Sequence, residues 1–487
     1  MKLIDKNTGF ILGAIAVLEF ISFLGYFYPP LKLASALIIF LGIFILAFKN
    51  LEFGLLILFT ELIIGSKGHL FELGPVSLRM IIFAAIILAY LYKLRRREER
   101  LKIINYLKEF KAWRYFLALA FFISLALLSA FINHNSLSNI LADFNAWLFF
   151  LLLFPILAVY FKASNEVYQR LVQVSLAALL WLSFETLMIL YIFTHNISIM
   201  PDLYFWLRQT GVAEITSTLN SWPRIFLQSQ IYIAIALVII PFVLETKKRR
   251  TWLLLILTWS ILILSMSRSF WLAVLIILAL GLLAWLIFYG WRKTAAKIFL
   301  ISSTALASIL FILLIVLFPI PKPGVFSADS FMNRISLNSN EAAVASRWSL
   351  LPVMWREIKT SPWLGFGYGK TITYKSSDPR VLQTNPSGEY TTYAFEWGYL
   401  ALWLKFGFFG LFSYLALMLM AIYRGLLKWR QGNDLAGVLA LGLLVLVLTN
   451  FFTPYLDHPL GIGYLLAALV LIEGLAPKNI VLPKTSK

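Results

Sequence analysis

The chain of 487 residues contains no cysteine. Disulfides and thiolate chemistry are therefore excluded, and nothing is implied about redox compartment. Charge is scarce: 13% of residues are Asp, Glu, Lys or Arg, against 61% hydrophobic, and the mean hydropathy is +0.84. That balance excludes a soluble globular domain and marks a polytopic membrane protein. Histidine is rare as well. The four, His69, His134, His195 and His458, never stand at the i, i+3 or i, i+4 spacing of helical metal sites, so no metal centre is expected. A Gly-x-Ser-x-Gly elbow is missing, which leaves a serine hydrolase without support. Alternating segments of roughly ten residues are missing too, which excludes a closed membrane barrel. The opening "MKLIDKNTGFILGAIAVLEF" has a basic start but no small-residue cleavage site, so it reads as a retained first span.

What the chain has in abundance is long apolar runs. They fall near 9–28, 31–48, 51–65, 74–92, 113–132, 141–161, 171–194, 225–245, 251–266, 269–290, 298–318, 399–423, 436–452 and 460–476. A bilayer core needs roughly 17–25 residues per helix, so the expected fold is an all-α, polytopic transmembrane bundle of about 14 helices. The run 51–65 is the shortest for that ruler. Lys and Arg (42) outnumber Asp and Glu (23), giving a net charge of +19. The excess is concentrated in alternate short loops, such as "KLRRREERLKIINYLKEFKAWR", "ETKKRR" and "YRGLLKWRQGND". This positive-inside pattern places both termini in the cytoplasm. Anionic lipids account for the charge, and no nucleic-acid partner is expected.

Three parts follow: helices 1–11 over 1–318, an extracytoplasmic loop over 319–398, and helices 12–14 with a cytoplasmic tail over 399–487. A loop of that length is uncommon unless functional. Within it, "NEAAVASRWSLLPVMWREIKT" predicts an amphipathic helix kinked at Pro352, with "SPWLGFGYG" as the following turn. "GFGYGKT" is not a phosphate loop, because Leu364 stands where the first glycine belongs. A shorter outward segment, 195–223, contains "DLYFWLRQTG", which fits a helix along the membrane interface.

Arg268 in "SMSRSFWLAV" is the one charge between Thr251 and Gly290. The run before it spans only about 24 Å at 1.5 Å per residue, so the hairpin tip sits near the outer headgroups. Two readings are open: a snorkelling arginine on a tight turn, or an anion site. Arg224 in "NSWPRIFLQSQ" stands where the eighth span begins, also on the outer face, and Arg347 in "ASRWSLL" lies in the loop helix, with Arg334 before it. Singly these read as an interfacial anchor and solvated loop residues. Together they put candidate cations on the face that the topology keeps poor in positive charge. Glu19, Glu61 and Glu185 fall inside apolar runs, where they are either packing residues paired across helices or the ion pathway of a transporter or lipid-linked glycan flippase.

"SMSRSFWLAVLIILALGLLAWLI" resembles the Ser-Arg-Ser hairpin of the O-antigen ligase and O-antigen polymerase superfamily. "SRWSLLPVMWREIKTSPWLGFGYG" resembles its arginine, tryptophan and Pro-x-x-Gly-x-Gly-x-Gly stretch, and "WPRIFLQSQIYIAI" resembles the upstream arginine segment of polymerase-like members. "FEWGYLALWLKFGFFG" follows in the expected order, and the resemblance runs from about residue 205 to 476. It implies a membrane glycosyltransferase that moves a glycan from a polyprenyl-diphosphate carrier to an acceptor hydroxyl on a glycan or lipid, at the outer face, with no cofactor or metal. Arg224 and Arg268 match arginines that hold the diphosphate, and Arg347 matches the loop arginine. The chain departs at two places: Glu396 stands where ligases carry the histidine base, and Lys405 where a later glutamate is usual. Glu396 is then the expected base, with pairing to Lys405 as its structural alternative. Glu389, Tyr393 and His458 are nearby alternatives or substrate contacts. The absent histidine and the Arg224 segment favour a polymerase over a ligase.

Overall fold

A computed structural model describes residues 6–74, 76–216, 223–319 and 342–475. Each apolar run becomes a helix, and the joints are set by capping chemistry. Helices α1 (Lys6–Phe27), α2 (Pro29–Lys49) and α3 (Leu51–Ile64) follow one another with single-residue breaks. Pro29 and Pro30 start α2, where missing N–H groups cost nothing. Asn50 ends α2 in extended conformation, and its side chain caps α3 by accepting the Glu52 N–H at 3.0 Å.

After α4 (Leu78–Lys93) come α5 (Arg97–Glu109) and α6 (Trp113–Ile132). A 3₁₀ stretch joins α7 (Leu137–Phe144) to α8 (Leu153–Tyr160), so Leu137–Tyr160 forms one apolar rod. Then come α9 (Asn165–Thr194), α10 (Met200–Thr210), α11 (Ile231–Val243), α12 (Arg249–Ser265), α13 (Arg268–Tyr289) and α14 (Trp291–Leu317). The loop contributes α15 (Ala342–Thr360) and α16 (Pro379–Thr384); the chain re-enters the bundle as α17 (Gly398–Arg430), α18 (Asp434–Thr449) and α19 (Pro459–Gly474). Among the described residues six short strands pair as antiparallel hairpins: β1 (Glu72–Leu73) with β2 (Val76–Ser77), β3 (Glu214–Thr216) with β4 (Arg224–Phe226), and β5 (Ile372–Lys375) with β6 (Glu389–Thr392).

The protein is thus an all-α polytopic membrane bundle. Among the described residues, eight helical segments are long and apolar enough to cross a bilayer alone, and α11, α18 and α19 are shorter apolar helices. The short ones are buried on nearly every side: Ile231 to Val238, Ala436 to Leu443 and Leu460 to Ile472 are almost continuously inaccessible. A helix apolar all round and covered by others is core. The long outer helices α1, α2, α6 and α14 expose Phe10, Ile38, Phe121 and Leu310, the surface a lipid-facing helix must offer.

Two basic segments that read as loops are helical: Arg97–Glu109 forms α5, and α17 continues through Tyr423 to Arg430. The loop helix α15 is present and continues through Pro352; Asn340, which stands at a plausible N-cap in the sequence, and Arg334 lie outside the described residues. Leu350, Met354 and Ile358 of α15 pack with Ile372, Phe395, Ala401 and Leu404, so the loop has a small core of its own seated on α17.

The "GFGYG" stretch is a packing device. Phe366 N–H donates to Leu404 O (2.8 Å) and Gly367 N–H to Lys405 O (3.0 Å), just before Gly407 interrupts the α17 helix at φ 67°. The Asn135 amide donates to Phe366 O (3.0 Å) and Tyr368 O (2.8 Å). At Gly367 (φ 78°) a Cβ would lie 2.2 Å from Ala130 N, so only glycine lets this backbone pass against α6.

Candidate active site

The hairpin between α12 and α13 turns at Met266, whose φ of 46° ends α12 in the left-handed region. Strain of this kind in a non-glycine residue marks sites held by their surroundings. Arg268 is therefore the first residue of α13, half-buried at the helix N-terminus. Ser267 and Ser269 share a hydroxyl hydrogen bond (3.1 Å) beside it. Arg224 reaches the same turn from β4: its Nε donates to Ser265 O at 3.2 Å, and its guanidinium lies 4.7 Å from the Phe226 ring centroid. Phe226 in turn stacks on Phe270 (5.9 Å). Arg224 and Arg268, 44 positions apart, thus converge on one turn.

The 450–458 loop joins this hairpin to the rest of the site. The Asn450 side chain accepts the N–H groups of Tyr455 and Leu456 (both 3.0 Å), folding the loop back on itself. Thr453 bonds to Ser269 (3.2 Å), the Tyr455 ring packs on Phe270 (5.8 Å), and its hydroxyl donates to Gln228 O (2.8 Å). On the other side Phe452 packs on Trp397 (5.9 Å). Trp397 Nε1 donates to Arg347 O (3.0 Å), and the Arg347 guanidinium pairs with the Glu396 carboxylate. Both members of that pair are exposed, at 41% and 52% of their side-chain area. One loop therefore touches Ser269 and Phe270, next to Arg268, and Trp397, next to Glu396.

Glu396 does not pair with Lys405, the structural alternative weighed from sequence. Lys405 is 3% exposed and binds Asp143 at 2.7 Å, while the other Asp143 oxygen accepts the Gly369 N–H (2.9 Å). The kink at Gly407 and the turn at Gly369 bring α17 and α7 together there, which no local pattern announces. Asp457 lies within reach of this pair's charge. Desolvation pushes its carboxyl up to about 6, with Lys405 opposing and Asp143 adding to the rise. Tyr393 is half-buried, close enough to Lys405 to feel its charge.

His458 caps α19, its Nδ1 accepting the Leu460 N–H (3.3 Å). Desolvation, with the charges of Arg79 and Lys67, lowers its pKa to about 3. Its ring is thus neutral at physiological pH, with Nδ1 already engaged. Arg79, Lys67, Arg208, Glu214, Asp143 and Asp457 escaped sequence reasoning. Lys67 binds Glu214 (2.9 Å), and Arg79 binds both Glu61 (2.9 Å) and Ser66 O (2.8 Å). Only the hydropathy break at "GSKGHLFELG" could have drawn attention to that corner.

The intramembrane carboxylates do not form one chain. Glu61 is neutralised by Arg79, both side chains 5% exposed. Glu19 on α1 and Glu185 on α9 are buried near enough to interact, and among the described residues neither Glu185 oxygen has a hydrogen-bond partner. At the opposite end of α3 and its neighbours, Arg170 binds Glu52 (2.6 Å), Lys248 binds Glu245 (2.7 Å), and Arg424 pairs with Glu473. Among the described residues, no three His, Asp or Glu side chains gather as a metal-binding group.

Residues 253–415 match the family model described as O-antigen ligase. The matched stretch starts in α12, ends in α17, and includes Arg268, Arg347, Glu396 and Lys405; Arg224 and the 450–458 loop lie outside it. No curated protein matches the chain. Over that stretch, which includes the Ser-Arg-Ser hairpin and the loop helix α15, the chain is similar to the O-antigen ligase family.

Proposed function

We propose that the protein is a metal-independent, inverting glycosyltransferase that moves or polymerises a glycan from a polyprenyl-diphosphate carrier onto an acceptor hydroxyl. The observation that carries this reading is the meeting of Arg224 with the Arg268 turn at the N-terminus of α13. Two guanidinium forks and the first N–H groups of a 22-residue helix suit phosphate oxygens. The same charges stabilise the diphosphate as it leaves, a task otherwise given to Mg²⁺.

In the proposed step the acceptor oxygen attacks the anomeric carbon from the face opposite the diphosphate. The bond from that carbon to the diphosphate oxygen breaks, its electron pair leaves with the diphosphate, and the configuration inverts. The acceptor proton passes to Glu396, which must exchange its Arg347 partner for the incoming hydroxyl. Arg347 then serves the loop side of the substrate with Tyr393. His458, neutral and capping α19, contributes packing and a donor rather than a base. Arg334 remains a candidate contact from the loop. Polymerase is favoured over ligase, because Glu396 replaces the histidine and Arg224 takes part.

The active end faces away from the cytoplasm and both termini face into it. The basic helix α5 and the pairs at Arg170, Lys248 and Arg424 sit at the end that the positive-inside rule assigns to the cytoplasm. The partition into 1–318, 319–398 and 399–487 follows from that orientation. Since the chain has no cysteine, Ser387→Cys should react with a membrane-impermeant maleimide on intact cells, and Lys247→Cys only after permeabilisation.

The deciding assay supplies purified protein with a polyprenyl-diphosphate oligosaccharide in chelator and follows product length. Elongated or transferred glycan, lost in Arg224→Ala and Arg268→Ala, is the expected result. Build-up of the lipid-linked unit on the inner leaflet in cells carrying those variants would instead make the protein a flippase.

A further inference from the structure

Three cations from separate parts of the chain gather around one carboxylate beside the hairpin. Lys67 Nζ, in the loop after α3, donates to Glu214 Oε1 at 2.9 Å. In the β3–β4 ladder Thr216 faces Arg224 and Glu214 faces Phe226. Residues two apart on a strand share a face, so Glu214 and Arg224 are diagonal neighbours, roughly 7–8 Å apart at the backbone and within reach of two long side chains. Arg208 stands in the last turn of α10, three residues before Gly211 closes that helix at φ 62°. The Lys67 stem lies across this glycine, where a Cβ would come within 2.9 Å of Lys67 Cδ. A side chain at 211 would require the Lys67 stem to shift.

The electrostatics agree with the geometry. Burial pushes the Glu214 carboxyl up, but the bond and charge of Lys67, with the charges of Arg224 and Arg208, outweigh it and hold the group below its usual range. Glu214 is therefore an anion at working pH. The Lys67–Glu214 pair is also easily opened: each side chain is 40% exposed, and such pairs contribute roughly 0–1 kcal/mol. A diphosphate offers more charge and more acceptor oxygens than one carboxylate, so exchange favours it.

We propose that Lys67 and Arg208 complete, with Arg224, a cradle for the diphosphate, and that the Glu214 carboxylate occupies this cradle until phosphate oxygens displace it. The inference rests on the reading of Arg224 as a diphosphate ligand. It adds two binding residues and an internal competitor, all outside the stretch that matches the family model.

The probe is inorganic pyrophosphate, titrated calorimetrically into the full-length protein in nanodiscs without divalent metal. Glu214→Gln should tighten pyrophosphate about two- to fivefold, since an exposed competitor is removed. Lys67→Met and Arg208→Gln should each weaken it by roughly tenfold or more, the loss of one charge-assisted hydrogen bond. In the Lys67→Met background the Glu214→Gln gain should shrink, because the two residues are in contact. Thermal unfolding of each ligand-free variant separates lost binding from lost fold. The proposal is overturned if folded Glu214→Gln binds pyrophosphate no better than the parent, if folded Lys67→Met and Arg208→Gln bind it as well, or if the parent binds none. If the affinity pattern holds but no glycan is transferred, the cradle stands and the glycosyltransferase reading falls. If transfer occurs and needs Arg224 while these variants bind like the parent, the reverse is true.

Discussion

The two halves of the candidate site are built differently. The hairpin half is part of the bundle: Arg268 opens a helix, Arg224 is fixed by the Ser265 carbonyl and the Phe226 ring, and Phe270 beneath them is fully buried. The loop half is a small separate core on α17, and its ion pair, Arg347 with Glu396, is about half exposed. The bundle half has the rigidity that the proposed diphosphate site requires. The loop half has the access that the proposed acceptor requires. Between them runs the 450–458 loop, and beneath the loop half lies one buried ion pair, Lys405–Asp143.

That buried pair is where the comparison can be broken most severely. Lys405→Met leaves the Asp143 carboxylate, 9% exposed, without its cation. Breaking a buried pair from one side costs about 3–5 kcal/mol. Thermal unfolding in detergent should show a large loss for Lys405→Met and a similar one for Asp143→Asn. An unchanged midpoint would mean that the pair does not support the loop half.

Next in size is the hairpin. Arg268→Ala should lower the transfer rate by about 10²–10³-fold, the usual effect of removing one donor to a developing anion. Arg268→Lys should recover only part, because an ammonium cannot reproduce a two-pronged contact. Product analysis by gel checks both, and a silent Arg268→Lys would return the residue to a snorkelling role. In the loop half, Glu396→Gln should reduce kcat by roughly 10²-fold with little change in donor KM, as expected for a proton acceptor. Arg347→Ala should cost less, about tenfold, since it removes a contact and frees Glu396. If Arg347→Ala proves as damaging as Arg268→Ala, the loop half also binds the diphosphate and the division between the halves is wrong.

Sequence made the helices legible because a membrane enforces one ruler on every span, and residues 9–28 to 460–476 carry it plainly. It made Arg224 and Arg268 legible because each charge stands out against an apolar background. It could not show what happens where the chain meets itself at long range. Lys405 joins Asp143 across 262 positions and Lys67 joins Glu214 across 147; neither pairing has a periodicity or a motif. Pairing with Lys405, about two helical turns on in sequence, is the structural alternative to Glu396 as base, and local spacing alone leaves it open. The Gly407 break in α17, the glycine turn at 365–369 and the approach of α7 direct Lys405 elsewhere. Basic stretches misled in the opposite sense: charge alone cannot tell a solvated loop from a helix such as α5, in which Ile103 alone is buried.

The smallest predicted effect concerns pH and the loop that joins the halves. His458 has a folded-state pKa near 3, below its ordinary value of 6.5, so its contribution to stability is complete above about 6.5 and is lost as pH falls toward 3. Asp457 has the opposite sign: its folded-state pKa near 6 exceeds the ordinary 3.8, so its contribution is complete below about 4 and is lost as pH rises through 6. Between pH 7 and 4 the two neighbours therefore offset each other, and the parent midpoint should vary little there from these groups. His458→Asn keeps a capping side chain for α19 and removes the histidine titration, so its midpoint should rise on acidification where the parent's does not. Asp457→Asn removes the carboxyl titration, and its midpoint should fall more steeply than the parent's over the same range. Two variants that diverge in opposite directions from one flat profile would locate both titrations in this loop; parallel profiles would mean that neither group is desolvated there.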